Sequence, residues 1–213
     1  MYHILRGHSI KGFILKHQLA KGEDIIVTIL SETRVDRYYR FYGARHSILQ
    51  MGYLIDFEIQ ESNNFLPRVR SISHNGFNWL YNREKLMLWH QFIAIFEPHF
   101  RDVKEIDSIY FNTLLNCAKK WDKQSPKRLI VEAYTKLLNY EGRLQPLDRC
   151  TICNQPIEDT IALIDGFLPT HSSCSHTQAL KKEYIEHLFK TNSTIWIDDN
   201  IIDRLYLIAL KSF

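Results

Sequence analysis

Apolar and polar positions alternate along much of the first 75 residues and change to helical spacing near residue 80. Ile10 to Leu19 forms a first run, broken at Lys21-Gly22. Asp24 to Leu30 is rich in β-branched residues, and Arg34 to Arg45 is a long aromatic strand ending at Gly43. Tyr53 to Ile59 alternates cleanly, and Arg68 to Ser73 is a short last run. Five strands with Gly and Asn turns predict a small closed or half-closed β-barrel. Beyond a boundary near 75–82, Leu86, Trp89, Ile93 and Phe96 recur at helical spacing until Pro98. Phe111, Leu114, Leu115 and Ala118 form a second stripe, with Cys117 on it as a small buried hydrophobe. Ser125-Pro126 reads as N-cap and first position of a third helix, with Ile130, Ala133, Tyr134 and Leu137 inward and Gly142 at its end. Two more helices are expected over about 177–190 and 199–211, the latter capped by Asp198.

Apolar residues make up 45% of the 213, enough for one large domain or two small ones. The start has no apolar run of signal-peptide type, and no stretch approaches the roughly 20 apolar residues of a membrane span. An intracellular protein with reduced thiols is expected. Net charge is +3, and its distribution changes the picture. Residues 1–80 hold ten Lys and Arg against seven Asp and Glu, whereas the remainder holds seventeen of each. A basic first part suits a phosphate-rich or acidic partner, as well as an ordinary solvated face.

The strongest local signal is C-x2-C at 150–153 followed by H-x2-C at 171–174. Each x2 pair makes a tight turn that presents two ligands to one metal, and Asp165-Gly166 offers the intervening loop a turn. Cys150, Cys153, His171 and Cys174 would give zinc three thiolates and one imidazole, a closed structural site without an open position. His176 is the rival fourth ligand, but His171 completes the paired spacing. A redox pair lacks the surrounding βαβ pattern, and a disulfide is at odds with reduced thiols. A vestigial, metal-free site is the remaining alternative.

The second signal is the strand RVDRYYRFYGARH. Alternation puts Arg34, Tyr38, Arg40 and Tyr42 on one face and Val35, Tyr39 and Phe41 on the other, which reads as core, with Arg37 at its rim. Rings interleaved with guanidinium groups suit single-stranded nucleic acid, and Arg45 and His46 would extend that surface. Lys11, Lys16 and Lys21 are the other cationic candidates. An ordinary solvated strand with cross-strand aromatic pairs is the competing account. Phosphate-loop, dinucleotide, zincin and nucleophile-elbow motifs are all missing from the sequence, and Asp198-Asp199 sits where a helix cap belongs, so a non-catalytic protein is expected.

The order barrel, helices, then a C-x2-C ribbon after a helix ending in Gly resembles the bacterial recombination mediator family RecO. FYGARHS at 41–47, YLIDFEI at 53–59 and above all LLNYEGRLQPLDRCTIC at 137–153 carry the likeness. Family members with a metal site usually have four cysteines, whereas His171 stands third here. The resemblance implies an α+β chain. An OB-fold nucleic-acid-binding domain would span 1–78, and a helical domain 79–213 would carry a zinc-binding segment at 148–176. It implies binding of single- and double-stranded DNA, strand annealing, and a cytoplasmic role at the nucleoid. It also implies partnership with RecR and with the acidic tail of single-stranded DNA-binding protein, and indirectly with RecA. Lys127 and Arg128 in the first turn of the third helix, with Lys136 further along, are the candidate tail contacts, because cations at a helix start oppose the helix dipole; a plain solvated helix face is the competing account. The alternative is a zinc-ribbon accessory factor of transcription or translation that binds RNA or protein. A metal-dependent hydrolase fits poorly with a coordinatively full site.

Overall fold

The alternating runs form five strands: β1 (Ile10–Leu19), β2 (Ile25–Ser31), β3 (Val35–Arg40), β4 (Leu54–Gln60) and β5 (Arg68–His74). The computed structural model describes residues 9–45, 48–63 and 65–211. The strands close into a barrel in the order β1-β2-β3-β5-β4, with β1 returning to β4. Neighbours are antiparallel except β3 and β5, which join in parallel at Tyr39 and Arg68. This five-stranded barrel is OB-like. Ile14, Val27, Ile29, Tyr38, Ile55, Phe57 and Val69 fill its interior.

The barrel does not stand alone. After a 3-10 turn at Asn78–Tyr81 come α1 (Arg83–Ala94), a short α2 (Phe96–His99) and α3 (Ser108–Lys120). Asn82 caps α1 through its side chain. The α1 pattern breaks before Phe96, and Pro98 lies inside the short turn rather than beyond it. β1 is buried on both faces: Ile14 points into the barrel, while Phe13 packs on Trp89 and Phe111, with ring centroids 5.8 and 5.7 Å apart. Trp89 also donates its indole N–H to the Gly52 carbonyl at 2.8 Å. A Cβ on Gly52 would come within 2.7 Å of that indole, and the φ of +83° disfavours other residues. Because α1 to α3 seal this second apolar face, the chain divides into compact units at 119/120, well past the change from strand to helix. Cys117 is buried on α3.

The second unit spans residues 120–213. Its central helix, α4 (Pro126–Tyr140), has Pro126 at the first position, but the Ser125 side chain makes no cap bond. A ribbon follows: β6 (Thr160–Ile164), a turn with Gly166 at φ +74°, and β7 (Leu168–Thr170). Phe167 in that turn is fully buried edge-on against Tyr134 of α4, centroids 4.9 Å apart. The short α5 (Ser172–Ser175) leads to β8 (Leu180–Lys181), which pairs with β6. α6 (Lys182–Thr191) therefore starts later than the expected 177, because 180–181 are taken into the sheet. α7 (Asp199–Ala209) ends the unit. Asp198 stands at its N-cap without a side-chain cap bond, and its carbonyl accepts from Ile201 and Ile202 instead. Among the described residues no helix is long and apolar enough to cross a membrane.

Candidate nucleic-acid interface and metal centre

The aromatic strand settles by register. Directly opposed residues in an antiparallel pair share a face. Tyr38 lies opposite Val27, whose side chain is in the barrel core. Tyr38 is accordingly buried and meets Phe57 edge to face at 5.5 Å. The expected assignment of Tyr39 and Phe41 to the core is thus reversed: Tyr39 is half-buried on the outside and Phe41 is 43% exposed. Val35 is buried, but under the 104–106 segment, where its N–H donates to the Lys104 carbonyl. The strand ends at Arg40, not at Arg45. Phe41 and Tyr42 turn the chain, Tyr42 takes φ +52°, and Gly43–Arg45 form a 3-10 turn.

Barrel closure brings β5 beside this turn. Tyr39, Arg40, Phe41, Tyr42, Arg68 and Arg70 line a hollow of about 450 Å³. The Arg68 guanidinium lies 4.6 Å from the Phe41 ring centroid, and Tyr39 packs edge-on to Phe41 at 5.1 Å. Arg40 is partly tied down through its Nη1 donating to the Val69 carbonyl at 3.1 Å. Among the described residues neither Arg68 nor Arg70 has a carboxylate partner. Asp24, in the β1–β2 turn, accepts from the Tyr39 hydroxyl and from the Tyr42 backbone N–H. The Tyr39 bond, then the Tyr42 one, hold its carboxyl below the ordinary range. Arg68, Arg70 and Asp24 were absent from the residues expected from sequence. The Arg68-Val69-Arg70 alternation, with Val69 inward, was the only local signal for the two arginines.

The other expected contacts are dispersed. Lys16, Arg34 and Arg37 line a second hollow of about 870 Å³, bordered also by Asp36, Glu61 and Glu97. Lys16 pairs with Glu97 at 3.0 Å and Arg34 with Asp36 at 2.7 Å, so both are committed locally. Lys11 stands 3.8 Å from Asp56. Arg45 pairs with Glu23, and its guanidinium lies 5.3 Å from the Tyr42 ring centroid. Lys21 is exposed. His46 lies outside the described residues.

In the second unit, Cys150, Cys153, His171 and Cys174 come together, with their ligand atoms all within 4.8 Å of one another. His171 Nδ1 is 3.4 Å from Cys153 Sγ and 3.8 Å from Cys174 Sγ. Tetrahedral zinc, with bonds of about 2.3 Å to sulfur and 2.0–2.1 Å to nitrogen, sets such edges at about 3.5–3.8 Å. The donor set and spacing therefore fit, and the cluster can form a zinc site. His176 is exposed, takes φ +53° at the end of α5, and is not part of the cluster. Each pair is presented by a local turn. The Asn154 N–H donates to the Cys150 carbonyl, and the Cys174 N–H to that of His171. Burial pushes the Cys150 thiol up, but the N–H groups of Cys153, His171 and Ile152 outweigh it and hold it down to about 6. Cys174 is pushed up to about 11, first by its hydrogen bond with Cys153 and then by burial.

Residues 10–80, about a third of the chain, match the family model described as RecO N terminal. These residues form a RecO N-terminal domain. The match covers all five barrel strands, so the groove on β3 and β5 belongs to it. The matched domain supports a RecO-type role in DNA repair in general terms. No curated protein matches the chain. In the second unit, Lys127 and Arg128 have intramolecular partners. Lys127 pairs with Asp203 at 2.8 Å. Arg128 pairs with Asp199 and donates to the Thr194 and Ile197 carbonyls, both at 2.6 Å. Lys136 is half-buried. The cations at the start of α4 thus hold the segment that leads into α7.

Proposed function

We propose that this RecO-type protein is a recombination mediator. It binds single- and double-stranded DNA, anneals complementary strands, and helps load the recombinase RecA onto DNA coated with single-stranded DNA-binding protein. The observation that carries this reading is the groove on β3 and β5. Two exposed rings, Phe41 and Tyr42, lie among the guanidinium groups of Arg40, Arg68 and Arg70. Unstacked bases lie on rings of this kind while arginines pair the phosphates, and neither contact selects a sequence. Arg37, Arg34, Lys11, Lys16 and Arg45 would add to the field around it.

Zinc held by Cys150, Cys153, His171 and Cys174 would staple the ribbon that packs Phe167 against α4, a structural role. RecR and the acidic tail of single-stranded DNA-binding protein would be the protein partners, in the cytoplasm and at the nucleoid. A tail docking at Lys127, Arg128 and Lys136 would have to compete with Asp199 and Asp203. Annealing of complementary oligonucleotides pre-coated with single-stranded DNA-binding protein tests the reading. Acceleration over the uncatalysed rate supports it. No acceleration, together with preference for RNA, would favour a zinc-ribbon accessory factor instead.

A further inference from the structure

We propose that the two carboxylates of the β1–β2 turn act on the groove in opposite senses. Asp24 is a positioning residue that sets the ring platform, and Glu23 restrains Arg45 and so holds back phosphate binding. This inference rests on the groove being the single-strand site.

A carboxylate beside a phosphate-binding groove lowers affinity through its charge, so an acidic pair there needs a compensating role. For Asp24 the geometry supplies one. One oxygen accepts from the Tyr39 hydroxyl, and the other accepts from the Tyr42 N–H at 2.8 Å. Tyr42 sits at φ +52°, a region that bulky L-residues rarely adopt. A hydrogen bond to its own N–H holds the backbone there. The Tyr39 ring is fixed at its hydroxyl end and in turn abuts Phe41, the ring that carries Arg68. One carboxylate therefore orders three rings.

Glu23 does something different. Its backbone carbonyl accepts from the Ala44 N–H at 2.9 Å, and its side chain pairs with Arg45. That pair is solvent-exposed on both sides, so it is weak and a phosphate can displace it. Until then it occupies a guanidinium that already lies over the Tyr42 ring.

The test titrates the full chain with a labelled oligo-dT and with a blunt duplex of equal length, with thermal melts run alongside. Glu23→Gln is expected to tighten both complexes and to steepen the salt dependence. Asp24→Ala is expected to weaken the single-strand complex roughly fivefold and the duplex little, despite removing a negative charge. Asp24→Asn, neutral but still able to accept from Tyr42 and to pair with the Tyr39 hydroxyl, should return affinity to at least the wild-type level. A carboxylate acting through charge alone gives the opposite sign: Asp24→Ala then tightens as Glu23→Gln does, which overturns the proposal. If Asp24→Ala does not fold, Tyr39→Phe, which removes only the hydroxyl, must weaken single-strand binding. Unchanged affinity there overturns the proposal equally. Arg68→Ala with Arg70→Ala separates the two levels. Loss of binding in that double variant with no loss in Asp24→Ala sinks only the Asp24 role, whereas unchanged binding in the double variant sinks the groove and this inference with it.

Discussion

His171 Nε2 stands 2.8 Å from the Pro156 carbonyl oxygen. A carbonyl only accepts, so Nε2 carries the proton, and in the neutral imidazole the Nδ1 lone pair faces the thiols of Cys153 and Cys174. A backbone oxygen thereby fixes the tautomer and ring orientation that a metal needs. That carbonyl comes first among the groups that raise the His171 pKa, ahead of Cys153.

Purified protein is expected to hold about one zinc per chain, by metal analysis. His171→Ala and Cys150→Ala should lose it, and His176→Ala should keep it. Chelation should lower the melting temperature of the chain, because a structural site contributes folding energy. Metal kept by His171→Ala but lost by His176→Ala would reassign the fourth ligand.

Tyr38 and Phe41, three residues apart, should respond oppositely to truncation. Tyr38→Ala empties a fully packed barrel position and should cost about 3–5 kcal/mol in denaturant unfolding. Phe41→Ala removes an exposed ring, so it should change stability little but weaken single-strand binding. Equal stability losses would restore Phe41 to the core.

Arg128 is the hub of the connection into α7. With two carbonyls and Asp199 on its guanidinium, Arg128→Ala should cost roughly 2 kcal/mol of stability. Arg128→Lys should recover little of it, since an ammonium cannot match a planar fork. Full recovery by lysine would mean that charge alone matters there.

The contrast among these residues explains what the sequence made legible. The metal ligands were readable because each pair lies within one tight turn, and its spacing is the geometry. The barrel strands were readable from period-two runs. The face of β3 was not, since Tyr38, Tyr39 and Phe41 are equally apolar by pattern and only pairing with Val27 decides which enters the core. Arg68 and Arg70 join the groove through the parallel β3–β5 contact, a non-local closure. Arg128 read as a free cation because its counter-ion comes 71 residues later. The groove's Asp24 was equally opaque: nothing local shows that it would accept from Tyr39 and Tyr42.

A single-strand site on β3 and β5 is tested by the salt-dependent affinity of the chain for oligo-dT, compared between wild type and Arg68→Ala/Arg70→Ala. Each phosphate contact on a single strand contributes about 0.7 to the slope of log affinity against log salt. The double variant should bind at least tenfold more weakly at low salt, from two lost charge contacts of about 1 kcal/mol or more each. Its slope should be flatter by about 1.4. Unchanged affinity and an unchanged slope would contradict a single-strand site on β3 and β5.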